Sequence, residues 1–163
     1  MLNEATSPEL LSLLNHAIAR ELQVSVQYML QHAIGAGQAA ASGETPSPEQ
    51  SKFVASHAQF WLPGATLKKI AITEMRHAEA IVERVVLLRG EPTTQPGGVR
   101  IGESVRQMLE NDREEERAAI ELYKQIIAVA GRERDEVTRN LFQRILADEE
   151  KHHRVFSNLL GKD

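Results

Sequence analysis

The chain has 163 residues, 42% hydrophobic and 26% charged, a balance that fits one globular domain rather than a disordered polymer. Aromatic residues at 4%, six prolines and ten glycines disfavour a turn-rich all-β fold, and the absence of cysteine removes disulfides, thiol catalysis and thiolate metal sites. A net charge of −4 offers no basic field for nucleic acid or anionic lipid, Arg20 is the first basic residue, and no apolar run reaches the ~18 residues of a membrane span, so a cytoplasmic protein is expected.

Apolar residues recur at three- and four-residue intervals through four long segments, which predicts four helices. The first runs from about Pro8 to Ile34, with Ser7 as N-cap and Pro8 in the first turn, and ends in Gly35-Ala36-Gly37. A small-residue loop follows from Gln38 to Pro46. Ser47-Pro48-Glu49-Gln50 then carries the start signature of a shorter helix, broken at Pro63-Gly64. The second long helix is expected from about Ala65 to Arg89, before Gly90. Gly90 to Ile101 holds two prolines and a Gly-Gly pair and reads as an extended connector, long enough to run the length of the bundle. The third helix covers about Glu103 to Ala130, stopped by Gly131. The fourth covers about Arg134 to Leu160, stopped by Gly161. A short link between the last two implies an antiparallel pair. The expected fold is an all-α four-helix bundle with one long crossover: a single domain over 1–163, with an inserted loop and short helix at about 35–64.

Each predicted helix places a glutamate in its apolar seam. Glu21 shares a face with Leu14, Ala17, Ile18, Val24 and Tyr28, and Glu74 lies in line with Leu67, Ile70 and Ile81. Glu116 is flanked by Leu109, Ile120 and Tyr123, and Glu149 by Phe142, Ile145 and Phe156. A carboxylate facing a core is expensive unless something neutralises it. No basic residue is expected on these seams, but Glu74-Met75-Arg76-His77 and Glu149-Glu150-Lys151-His152 are both Glu-x-x-His. At i and i+3 on a helix the two side chains point the same way. A rival pair, Glu150 and His153, follows a wetter line through Gln143, Leu146 and Ser157, so Glu149 and His152 are preferred. Carboxylates with one imidazole per position suit Fe(II) or Mn(II) rather than structural zinc. Two divalent ions would also offset four carboxylates. The order Glu, Tyr, Glu-x-x-His occurs twice, with Tyr28 and Tyr123 one heptad after Glu21 and Glu116. Both tyrosines are read as core aromatics whose hydroxyl bonds a ligand carboxylate, or as outer-shell groups that orient a ligand or supply an electron. In the acidic run Glu114-Glu115-Glu116 only Glu116 is expected to face inward.

With these motifs the chain resembles the ferritin-like di-iron carboxylate proteins, and the bacterioferritins in particular. The resemblance spans Glu21-Leu22 to Gln27-Tyr28, Glu74-Met75-Arg76-His77-Ala78, Ile101-Gly102-Glu103 to Glu116, and Asp148 to His152. It implies that Glu74 and Glu149 bridge two metals, with Glu21 and His77 on one and Glu116 and His152 on the other. The function it implies is a ferroxidase that oxidises Fe(II) with O2 or H2O2 for iron storage or detoxification. A small-oligomer di-metal redox enzyme, such as a peroxidase or oxygenase using iron or manganese, is the alternative. Bacterioferritins use a Met directly after the second-helix Glu as a haem ligand. Met75 occupies that seat, rotated ~100° from Glu74. It is read first as packing at a helix or subunit interface, with haem b as the second reading. The family carries a further short helix that helps to close a many-subunit shell, and this chain ends at Asp163. A homo-oligomer of at least two copies is expected, with no nucleic acid and no membrane partner.

Overall fold

The computed structural model describes residues 6–41 and 66–161. Among these residues are four helices, α1 (Pro8–Ala41), α2 (Thr66–Leu87), α3 (Val105–Arg132) and α4 (Glu136–Leu160). The short helix expected from Ser47 lies outside the described residues. Ser7 caps α1 as its sequence suggests, its hydroxyl accepting from the Leu10 amide at 3.0 Å. Ser104 and Asp135 do the same for α3 and α4.

Two helix ends differ from the sequence reading. Helix α1 continues through Gly35 and Gly37 to Ala41, and α3 passes Gly131 to end at Arg132. A glycine costs a helix only about 1 kcal/mol, so it stops one only where the next residues gain from leaving. The reversals fall instead on Arg89 and Arg134, which adopt left-handed backbone with φ of 59° and 58°. After Arg134, Asp135 opens α4, and the Arg84 guanidinium holds its carboxylate at 2.7 Å.

Among the described residues the core consists of two apolar clusters. One joins Leu10, Leu14 and Ile18 of α1 to Ile81 and Val85 of α2, Tyr123 and Ile126 of α3, and Phe142 and Ile145 of α4. The other joins Val24 and Tyr28 to Leu67 and Ile70, Met108 and Leu109, and Phe156 and Leu159. Later residues of α1 therefore meet earlier residues of α2 and α3, making both antiparallel to α1, while α2 and α3 run parallel. Parallel neighbours in sequence require a crossover. Between the two clusters lie Glu21, Glu74, Glu116 and Glu149.

The crossover follows a single stripe of α1. The Thr93 amide donates to Asn15 Oδ1 at 2.7 Å and the Gly97 amide to the Ala19 carbonyl at 2.9 Å. The Arg100 amide donates to Gln27 Oε1 at 2.8 Å, and Gln31 Nε2 donates to the Ile101 carbonyl at 3.3 Å. Asn15, Ala19, Gln27 and Gln31 share one face at helical spacing, so the extended chain finds a partner at nearly every turn. Beyond it, Gly102 at φ 89° supplies the turn into α3 that a side chain would strain.

Candidate metal centre

All four seam glutamates are fully buried, and His77 and His152 are nearly so. Glu74 and His77 face inward together from α2, as do Glu149 and His152 from α4. Glu150 is exposed and His153 half-buried. The six side chains converge in two groups. Glu21, Glu74, His77 and Glu149 offer ligand atoms within 4.8 Å of one another, and so do Glu74, Glu116, Glu149 and His152. Glu74 and Glu149 belong to both groups. The imidazole rings stand side by side, with centroids 6.4 Å apart.

Within the chain's own atoms the centre is under-satisfied. His77 Nδ1 is 3.0 Å from both Glu74 Oε2 and Glu149 Oε1, and one ring nitrogen cannot serve both. His152 Nδ1 stands 2.6 Å from Glu74 Oε1, yet neither atom makes a properly directed hydrogen bond. Glu21 Oε2, Glu116 Oε2 and both oxygens of Glu149 also lack a donor. Buried polar atoms are normally paired, so a cluster of unpaired carboxylate oxygens beside two imidazole nitrogens fits a divalent metal pair.

The electrostatics separate the shared carboxylates from the terminal ones. Burial pushes Glu21 and Glu116 well above the ordinary carboxylate range, and the charges of Glu149 and Glu74 add to it. Burial would raise Glu74 as well, but His152 and His77 hold it below its usual value. Glu149 is held well below by Glu116 and both imidazoles. Burial would lower the histidines, yet Glu149 and Glu74 carry His77 up to about 11 and His152 to about 9. The metal-free centre thus holds protons on its imidazoles, which a metal would displace.

Three contacts around the six were not anticipated from sequence. Arg20, expected to lie off the seam, is 5% exposed and pairs with Glu21 Oε1 at 3.3 Å and Glu116 Oε2 at 3.6 Å. A basic residue therefore does touch the site, because the long arginine stem lets a head group reach across from a flanking position. Glu115, expected to face solvent, is 9% exposed and takes the Arg100 guanidinium at 2.6 Å. Asp148 Oδ2 lies 3.5 Å from His77 Nε2, the nitrogen turned away from the carboxylates. Both tyrosines do bond seam carboxylates, and they cross over: Tyr28 of α1 donates to Glu116 of α3, and Tyr123 of α3 to Glu21 of α1. Met75 is 47% exposed and points away from the centre.

The family model for the Ferritin-like domain matches residues 64–163. The bacterioferritin of Desulfovibrio desulfuricans is 35% identical over 157 residues, covering 96% of this chain and 76% of its own. The chain belongs to the bacterioferritin family. A second bacterioferritin, from Mycolicibacterium paratuberculosis, is 33% identical over 89% of this chain and 79% of its own. Among bacterioferritin crystal structures, the Desulfovibrio desulfuricans protein superposes with a TM-score of 0.72 at 35% identity, covering 93% of this chain and 78% of that one. It was solved with its diiron site in different catalytic states. The Mycobacterium tuberculosis bacterioferritin superposes with a TM-score of 0.74 at 28% identity, covering 95% of this chain and 86% of that one. The ferritin-like model spans the helices that carry five of the six buried ligand candidates, and α1 adds Glu21.

Proposed function

We propose that the paired site is a ferroxidase centre that takes two Fe(II) ions as substrate. Glu74 and Glu149 would lie between both ions, Glu21 and His77 would complete one position, and Glu116 and His152 the other. The observation that carries this reading is the sharing of Glu74 and Glu149 by two otherwise separate ligand groups. One position alone would make a mononuclear site. When two irons are bound, each supplies one electron, so that O2 takes two electrons and two protons and leaves as hydrogen peroxide.

The chain's own residues prepare the site for this. Tyr28 and Tyr123 fix one carboxylate oxygen of each terminal ligand, leaving the other without a hydrogen-bond donor. The apolar clusters on either side exclude water along the bundle axis. The two imidazoles give up their protons as metal enters, which offsets part of the positive charge that the ions bring. Manganese suits the same donors, and the metal content of protein purified without chelator distinguishes the two.

A homo-oligomer is supported by apolar side chains left exposed on the first two helices: Val26, Met29 and Leu30 of α1, and Ile72 and Met75 of α2. We read Met75 as part of that contact, with haem b its alternative; the visible absorption spectrum of the purified protein separates them. Among the described residues no helix is long and apolar enough to cross a membrane.

The test is the Glu74→Ala variant, which removes a ligand from both positions. Rapid Fe(II) oxidation should be lost while the helical content persists. Oxidation at the wild-type rate would overturn the assignment.

A further inference from the structure

We propose that Arg20 is a resident counter-cation of the paired site, competing with bound metal for the two terminal carboxylates and keeping the site releasable. The inference rests on the paired-site reading above. Arg20 Nη1 reaches Glu21 Oε1 at 3.3 Å and the Tyr123 hydroxyl at 3.4 Å. Nη2 donates to the Glu115 carbonyl at 2.8 Å and lies 3.6 Å from Glu116 Oε2, an oxygen with no hydrogen-bond donor of its own. Nε also donates to the Glu115 carbonyl, at 3.3 Å. One planar fork thus touches the carboxylate private to each metal position.

The guanidinium is held in place. Its donors are spent on a backbone carbonyl, a tyrosine and the Glu21 carboxylate, with Glu116 beside it at ion-pair distance, and the Tyr123 ring lies under it with the centroid 5.8 Å away. Swinging outward would forfeit all of these contacts. A guanidinium also keeps its charge at any working pH, so its repulsion of a second cation cannot be titrated away. Four carboxylates less one fixed cation leave three negative charges for two divalent ions, which bind with a net positive excess. Metal held against a fixed positive charge leaves faster. Arg20 therefore favours a centre that passes its iron on over one that retains it as a permanent cofactor.

The experiment loads the full-length protein with Zn(II), which undergoes no redox change, and follows its transfer to an excess of chromogenic chelator. Arg20→Gln removes the charge and Arg20→Lys keeps it. Removing a unit charge from a low-dielectric site should slow Zn(II) release at least about tenfold in Arg20→Gln. Arg20→Lys should release at the wild-type rate. Release from Arg20→Gln at the wild-type rate or faster would overturn the proposal. Equal slowing in both variants would overturn it too, because packing rather than charge would then be responsible. The assay starts from loaded protein, so it still reads if Arg20→Gln folds only with metal. A wild-type chain that does not hold two Zn(II) ions would sink the paired-site reading itself, before any variant is compared.

Discussion

Tyr123 on α3 donates its hydroxyl to Glu21 on α1, and the contact is returned when Tyr28 on α1 donates to Glu116 on α3. Each terminal carboxylate is thus oriented by the helix that carries the other. Tyr123→Phe should leave the bundle folded but loosen Glu21, which keeps Arg20 alone on that oxygen, and Tyr28→Phe should loosen Glu116 in the same way. Outer-shell partners of this kind are worth roughly 10- to 100-fold in metal affinity or activity. Stopped-flow Fe(II) oxidation should slow in both variants, and more in the double variant than in either single one. Unchanged rates in all three would show that the carboxylates hold their geometry without the tyrosines.

The tyrosines are in turn held by phenylalanines. Phe142 is fully buried with its ring centroid 5.2 Å from that of Tyr123, at 68°. Truncation to Ala should cost about 3–5 kcal/mol of stability in chemical denaturation, the usual range for a buried aromatic. The same loss of packing should loosen Tyr123, so metal affinity should fall together with stability. Val137, on the same helix but 62% exposed, is the control: Val137→Ala should stay within about 0.5 kcal/mol of wild type.

The metal-free protein should lose stability as pH rises. Burial opposes the charged imidazoles, but Glu149 and Glu74 bring His77 to about 11 and His152 to about 9, above the ordinary value of 6.5. A raised folded-state pKa means that stability is fully present below 6.5 and drains away as pH climbs through 9 and then 11. The melting temperature of chelator-treated protein should therefore fall across this window. Metal-loaded protein, whose imidazoles are already deprotonated, should not show that fall. A metal-free melting curve flat from pH 6.5 to 10 would remove the histidines from the account.

Much of this centre was readable in the sequence because its geometry is local. Glu74 with His77, and Glu149 with His152, need only the helical repeat to face the same way, and the Ser7-Pro8 start needs only capping chemistry. What escaped was contact made across helices by long or flanking side chains. Arg20 sits next to Glu21 and so projects about 100° from it on the helix wheel, yet its stem brings the guanidinium back to Glu116. Asp112 left a usable signal. It lies one turn before Glu116 on the stripe that continues through Ala119 and Tyr123, all of them buried. Ile120, assigned to that stripe from spacing, is only half-buried, because the stripe passes through Ala119 instead. The continuation of α1 through Gly35 and Gly37 could not be read locally either, since glycine weakens a helix without ending it.

Asp112 also ties the crossover to the bundle. Its Oδ1 accepts from Gln27 Nε2 at 3.0 Å and from Gln31 Nε2 at 2.9 Å, the two glutamines that hold Arg100 and Ile101. Burial raises the Asp112 carboxyl to about 7, against the pull of Gln27 and Gln31. With an ordinary value of 3.8, its contribution to stability is fully present below 3.8 and is lost as pH rises through 7. Asp112→Asn keeps an oxygen for both glutamines and removes the titration. Its second amide atom becomes a donor where Asp112 Oδ2 has no partner, and Gln31 Oε1, on the side chain that already bonds Asp112, lacks one too. The variant should therefore show a shallower fall in melting temperature between pH 4 and 8 than wild type. Above pH 7 the Arg100 amide, which donates to Gln27, should exchange with solvent more slowly in the variant. Identical pH slopes in the two proteins would mean that Asp112 stays ionised in the folded chain, with the crossover held by the glutamines alone.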